Sequence, residues 1–286
     1  EFEFITPKVE LLDPREALIP IQPEDRKVMS EQEIVAAAEK SECALVWKRQ
    51  HWGTSRDLRL IERLMRLPKL SRMTHRAPRS EEAVGERRPF HWYKGQGFQP
   101  ATESTLTKRN APAPIFWRET DRFFSAGTIV SNLLITSENT VPIGTRYKES
   151  GLLFPRNKLI YKQPLLLINK ACTKFLFSDL DVLFQDDFQS ICAPKNEEDE
   201  LLFLTAVFAS PLTQYLLFHT AANIGIERDI ARFEELLELP FPLPTDMPDV
   251  KRSKAIVVEC AEIIRNLKAQ LFKPENLCSR DELVAE

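Results

Sequence analysis

Four carboxylates fall in one short stretch of the chain, Asp179, Asp181, Asp186 and Asp187, with Lys170 and Lys174 close by in sequence. Clustered oxygen ligands beside a lysine are what Mg²⁺-dependent phosphodiester hydrolysis requires, since the acids hold the ion and the ion stabilises developing charge. A nuclease core of this kind places a Glu-x-Lys pair on the following strand, and here residues 188–193 carry no acid. Turn and strand-end carboxylates fit the same spacing, so a Mg²⁺ nuclease stands as an alternative. Gly95-Gln-Gly97 is the sole Gly-x-Gly; it has no third glycine in register and no apolar strand before it, as a phosphate-cradling turn would need. Neither Gly-x-Ser-x-Gly nor His-Glu-x-x-His occurs, and His51, His75, His91 and His219 have no partners at metal-ligand spacing. Cys43, Cys172, Cys192, Cys260 and Cys278 are odd in number with no Cys-x-x-Cys, which reads as buried thiols in a reducing cytoplasm. No catalytic and no metal-binding residue is assigned.

Binding chemistry is better represented. The net charge of −3 conceals an uneven distribution: residues 47–162 carry 22 Lys/Arg against 10 Asp/Glu, a net of +12, between flanks that are both acidic. A basic middle of this size suits a polyanion, and a solvated basic face paired with the acidic ends would look the same. Within it, Arg72, Arg76, Arg79, Arg87 and Arg88 precede the aromatic cluster Phe90-His-Trp-Tyr93. Arginines interleaved with Trp and Tyr suit backbone and base contacts on nucleic acid; a mobile surface loop is the plainer reading. Among these residues Trp92, Tyr93, Lys94 and Gln96 are the candidates for base readout. Arg109, Arg118, Arg146, Lys148, Arg156, Lys158 and Lys162 are the candidates for phosphate contacts.

The elements that must position these residues follow from periodicity and punctuation. Residues 1–29 read as an extended arm punctuated by Pro7, Pro14, Pro20 and Pro23. Ser30-Glu-Gln-Glu33 is a capping box that opens a helix to about Lys40. Thr54-Ser-Arg-Asp57 opens a second helix with an apolar stripe of Leu58, Ile61, Leu64 and Met65, stopped by Pro68. Residues 71–126 are polar and poorly periodic, which predicts irregular structure. Short apolar runs then predict strands at Thr128–Ile135, Leu159–Tyr161, Leu165–Ile168, Phe175–Phe177, Val182–Phe184 and Ile191–Ala193. Helices are predicted from Glu197, again from Ser210-Pro211, from about Arg228 to Leu239, and over 249–271. Glu227-Arg228-Asp229 suits the positive end of the third of these. The fold class expected is α+β: a mostly antiparallel sheet region with flanking helices and a long C-terminal helix.

Several blocks in order resemble the C-terminal, target-recognising part of N6-adenine DNA methyltransferases of restriction–modification systems, of the type II kind that fuses methylase to restriction enzyme. They are Trp52-Gly-Thr-Ser-Arg-Asp57, Gly95-Gln-Gly-Phe98, Pro164-Leu-Leu-Leu-Ile-Asn-Lys170, Phe177-Ser-Asp-Leu-Asp-Val-Leu-Phe184, Ser210-Pro-Leu-Thr-Gln-Tyr215 and Asn223-Ile-Gly-Ile-Glu-Arg-Asp229 with the segment to Pro242. The resemblance spans roughly residues 45 to 244. In that family an upstream domain binds S-adenosylmethionine and carries an Asn-Pro-Pro-aromatic motif that grips the flipped adenine. This chain has neither; Asn110-Ala-Pro112 departs from the motif at its second residue and lacks the aromatic. The resemblance therefore implies recognition of double-stranded DNA rather than methyl transfer, with S-adenosylmethionine expected only in the missing catalytic domain and the parent expected to be a DNA (adenine-N6) methyltransferase.

On this reading residues 1–45 are a linker or arm from the upstream methyltransferase domain, 46–245 the DNA target-recognition domain, and 246–286 the C-terminal helix. The chain lacks an initiator Met and is expected to begin inside a longer protein. The start, Glu1-Phe2-Glu3-Phe4, lacks the charged n-region and apolar h-region of a signal peptide, and no apolar run nears the roughly 20 residues that cross a bilayer, so a cytoplasmic protein is expected. The other alternative is a protein-interaction module of a restriction complex, docking through the acidic C-terminal helix.

Overall fold

The structure is a computed structural model that describes residues 2–5, 26–39, 46–48, 55–77, 92–102, 112–128, 133–154, 156–224 and 230–271. The chain divides into two compact units, Glu1–Arg66 with Tyr215–Ala231, and Leu67–Gln214 with Arg232–Glu286.

In the first unit β1 (Phe2–Ile5) pairs antiparallel with β2 (Arg26–Met29), Phe2 opposite Met29. The extended arm read from the prolines thus holds a strand pair. Helix α1 (Glu31–Glu39) starts at the expected capping box: the Glu33 N–H donates to Ser30 Oγ at 3.2 Å and the Ser30 N–H to Glu33 Oε2 at 3.0 Å. Helix α2 (Ser55–Met65) ends three residues before Pro68, as the proline requires. Lys48 is fully buried in this unit. Its ammonium donates to the backbone oxygens of Phe218 at 2.7 Å, of Ile224 at 2.5 Å, and of Ala221. These carbonyls lie at and beyond the C-terminal end of a helix that reaches Thr220, where the backbone dipole favours a cation.

The second unit is built on a six-stranded sheet. Its strands are β3 (Thr74–Arg76), β4 (Trp92–Gln96), β7 (Leu134–Ile135), β10 (Leu165–Asn169), β11 (Phe175–Ser178) and β13 (Phe188–Cys192), in the spatial order β3-β4-β13-β10-β11-β7. The interior pairings are antiparallel and the two end strands join parallel. β10 is buried along Leu165–Ile168 because both faces of the sheet are covered. On one face Leu165 and Leu167 join an aromatic core of Phe98, Trp117, Phe123, Tyr161, Phe184 and Phe188. On the other lies α3 (Glu198–Ala209), with Phe208 packed 5.2 Å from Phe175. The long helix α6 (Val250–Leu271) packs on α3, where Arg265 pairs with Glu198 at 3.1 Å and Asp199 at 2.5 Å. Smaller ladders complete the unit. β5 (Gln99–Pro100) pairs with β9 (Leu152–Phe154); β6 (Arg122–Phe124) lies between β8 (Val141–Pro142) and β12 (Leu183–Phe184). The architecture is α+β, with a mainly antiparallel sheet and a long C-terminal helix.

Four expectations are corrected. The supposedly irregular stretch 71–126 contains β3 to β6. Leu159–Tyr161 is a 3-10 turn (Lys158–Tyr161) rather than a strand, because Asn157 caps it, its side chain accepting from the Leu159 N–H at 2.9 Å. Only Leu134–Ile135 of the predicted strand 128–135 is a strand; 129–132 lie outside the described residues. The helix expected from Arg228 is shorter in the described residues, α5 (Phe233–Leu237), and Gly225–Asp229 lie outside them. The restart at Pro211 is as expected, α4 (Pro211–Thr220), but the Ser210 hydroxyl donates back to the Val207 carbonyl at 2.6 Å instead of capping the new helix. Burial pushes the thiols of Cys172 and Cys192 up to about 12, which keeps them protonated and unreactive.

Candidate nucleic-acid interface

β4 carries four of the residues singled out for base readout and gives them different environments. Trp92 is fully buried. Its indole N–H donates to Glu197 Oε2 at 2.6 Å, and its ring lies 6.1 Å from Phe241. A surface role for Trp92 was inferred from loop position; it is a core residue, because β4 is paired on both sides by β3 and β13. Tyr93, Lys94 and Gln96 are half-buried. Desolvation lowers the Lys94 pKa, opposed by Glu234 and Glu238, so this cation faces acids of its own unit.

Gln96 is held by two contacts. Its amide nitrogen donates to the Asp186 carbonyl at 3.2 Å, and its amide oxygen accepts from Arg156 Nη2 at 3.4 Å. Arg156 also donates to the Gly97 carbonyl at 3.3 Å and lies 5.4 Å over the Phe154 ring. Burial pulls its pKa down, yet a guanidinium stays charged at neutral pH. An amide and a guanidinium fixed side by side are the two groups best shaped for bidentate contact with adenine and guanine edges.

A second group forms where two loops meet. The Ile143 N–H donates to the Asp121 carbonyl and the Gly144 N–H to the Glu119 carbonyl, both at 2.9 Å, so residues 118–122 lie along residues 143–148. Gly144 permits the turn with φ +60°. This brings together Arg118, Arg122, Arg146 and Lys148. Arg146 sits 5.5 Å over Phe123, and Lys148 pairs with Glu119. Lys158 and Lys162 flank the 3-10 turn and are exposed. Lys162 pairs with Asp181 at 2.5 Å. Exposed pairs of this kind are weak, on the order of 0–1 kcal/mol, and open readily toward a stronger anion. Arg109 lies outside the described residues.

Between these segments runs a cleft of about 370 Å³ that the sequence did not reveal. Phe116, Trp117 and Tyr161 line it together with Arg122, Lys158 and Lys162. Its residues come from three stretches distant in sequence, so no local spacing pointed to it.

The clustered carboxylates do not converge. Asp181 accepts from Lys162 and from the Gln163 N–H at 3.0 Å, while Asp186 and Asp187 share Lys170 at 3.4 and 3.8 Å. Among the described residues no group of three or more His, Cys, Asp or Glu side chains is arranged to hold a metal ion. Gly95-Gln-Gly97 does not fit a cofactor loop either: a Cβ at Gly97 would collide with the Gln185 carbonyl, so this glycine serves close backbone packing.

No protein-family model matches the chain, and no curated protein matches it. Two solved structures align with it at low similarity. One is the HsdS subunit from Thermoanaerobacter tengcongensis, at 14% identity over 90% of this chain and 55% of that one, with a TM-score of 0.28. The other, from a study of complex assembly and conformational transition of the type I R-M system, is 14% identical over 89% of this chain and 57% of its own, with a TM-score of 0.27. The chain spans a little over half the length of either. Similarity at this level does not establish a shared architecture.

The candidate interface has two parts, a fixed Gln96–Arg156 pair and a set of cations around the cleft. Cations that yield their surface partners to phosphate would position a duplex, and the fixed pair would read an edge.

Proposed function

We propose that this chain recognises a short double-stranded DNA site on behalf of an adenine-specific, S-adenosylmethionine-dependent DNA methyltransferase of a restriction–modification system. The observation that carries it is the gathering of Arg118, Arg122, Arg146, Lys148, Lys158 and Lys162 by three segments of one unit, in a chain whose overall charge is −3. Concentrated positive charge on an acidic protein is a local device for a polyanion, not a by-product of composition. The ordered sequence blocks supply the restriction–modification setting, with the methyltransferase domain upstream, S-adenosylmethionine bound there, and the protein in the cytoplasm. In this reading Arg118, Arg146, Lys148, Lys158 and Lys162 contact phosphates, and Tyr93, Lys94, Gln96 and Arg156 lie toward the bases.

The test is binding to a randomised duplex pool at two salt concentrations, with sequencing of the bound fraction. Salt-sensitive retention that enriches one short motif is the expected result. Absence of binding at the lower salt overturns the reading.

A second reading, a protein-interaction module, has one observation in its favour. Ile256 and Ile263, seven residues apart and so on one face of α6, are 47 and 53% exposed, an apolar surface available to a partner subunit. A stable complex with a methyltransferase subunit, formed by a chain without DNA affinity, would select it.

A further inference from the structure

The cleft beside the 3-10 turn has the chemistry of a pocket as well as cations for phosphate. Its volume of about 370 Å³ is within the span of small-molecule sites, about 300–1,000 Å³. Phe116 forms part of its wall and is only half-buried, braced by Trp117 at 5.0 Å and Tyr161 at 5.4 Å. A braced, partly open ring is a stacking platform for a planar guest. Behind it Trp117 and Tyr161 are 7% and 4% exposed and support the ring from the core.

The remaining lining supplies charge. Arg122, Lys158 and Lys162 are exposed there, against Asp121 and Asp181. Both acids are already engaged: Asp121 accepts from the Arg118 N–H at 2.9 Å, and Asp181 from Lys162 and the Gln163 N–H. The excess is positive. We propose that this cleft binds a nucleoside monophosphate unit, with the base against Phe116 and the phosphate toward Arg122, Lys158 and Lys162. The unit is either a free mononucleotide or one unpaired nucleotide of a strand. This does not require the duplex recognition proposed above.

The experiment is equilibrium dialysis of the whole chain against the four labelled deoxynucleoside 5′-monophosphates, with inorganic phosphate as competitor. At least one mononucleotide is expected to saturate at one per chain, and phosphate is expected to displace it poorly. Phe116→Ala should weaken binding about tenfold, in line with the value of one stacked base, and Phe116→Tyr should restore it. If Phe116→Ala fails to fold, the exposed Lys158→Glu gives the same loss. Lys195→Ala, on an exposed lysine outside the cleft, should leave dialysis unchanged. The source is settled by competition: a hairpin with one bulged nucleotide that displaces the label below the concentration of free mononucleotide identifies the strand, and the reverse order identifies the free compound. No saturation by any mononucleotide, or displacement by phosphate as strong as by mononucleotide, overturns the proposal. Duplex binding without mononucleotide binding removes the pocket and leaves the recognition reading standing; the opposite result removes the recognition reading and leaves the pocket.

Discussion

Trp92 donates its indole hydrogen to a Glu197 carboxylate oxygen at 2.6 Å, tying β4 in the middle of the sheet to the turn that starts α3. The bond is charge-assisted and largely out of solvent, where such bonds are worth more than neutral surface ones. Trp92→Phe keeps the ring against Phe241 but deletes the donor. The expected loss is about 1.5–3 kcal/mol in urea unfolding; a loss within error would show that the bond is replaced by water.

Lys48 offers a second stability test. Its ammonium serves three backbone oxygens at and beyond the end of α4, and the side chain is fully buried. Lys48→Met fills similar volume and leaves those carbonyls without donors. A loss of about 2–3 kcal/mol is expected, with faster amide exchange confined to the first unit. Uniformly faster exchange across both units would contradict a local role.

How much of this was legible in sequence depends on where the determining contacts lie. The capping box at Ser30 and the buried strands β10, β11 and β13 were readable, because a local rule fixes each. β4 was not: Trp-Tyr-Lys-Gly-Gln has no apolar alternation, and it is a strand because β13 and β3 pair with it from 99 and 18 residues away, as Cys192 opposite Tyr93 and Thr74 opposite Trp92 show. The 3-10 turn at Lys158–Tyr161 was misread for a smaller reason, the cap provided by Asn157. The cations of the interface were named from charge alone. Arg122, Phe116 and Tyr161 were missed, because only the fold brings them to one cleft.

For the phosphate contacts, Lys158→Ala and Lys162→Ala should each reduce the slope of log K against log salt by about 1. Asp181→Asn should act in the other direction. It releases Lys162 from its partner and should raise duplex affinity a few-fold at low salt. Unchanged slopes in the lysine variants would remove these residues from the interface.

Base readout has a separate signature. Gln96→Ala leaves Arg156 one partner fewer and should relax preference at one base pair by about 1–3 kcal/mol while general affinity at high salt declines little. Selection from the randomised pool with this variant checks it: an unchanged motif assigns Gln96 to structure alone.

A pH dependence follows from His219. Desolvation holds its pKa below the ordinary value of 6.5, and its buried Nδ1 has no hydrogen-bond partner among the described residues. The unfolded chain therefore binds the proton more readily. Stability is full above about 6.5 and falls as pH drops below it, since protonation favours unfolding. Thermal unfolding near pH 5 should show a lower Tm than near pH 7.5, and His219→Gln should flatten that part of the difference. An equal slope in the variant would place the titration elsewhere.

The six-stranded sheet closes at both ends with strands of three and two residues, β3 and β7, each laid parallel to its neighbour. Stubs of that length leave few free backbone groups for another chain to zip onto. Short end strands thereby limit edge-to-edge association between copies of the chain. Lengthening either end strand by design would be the quickest route to fibres.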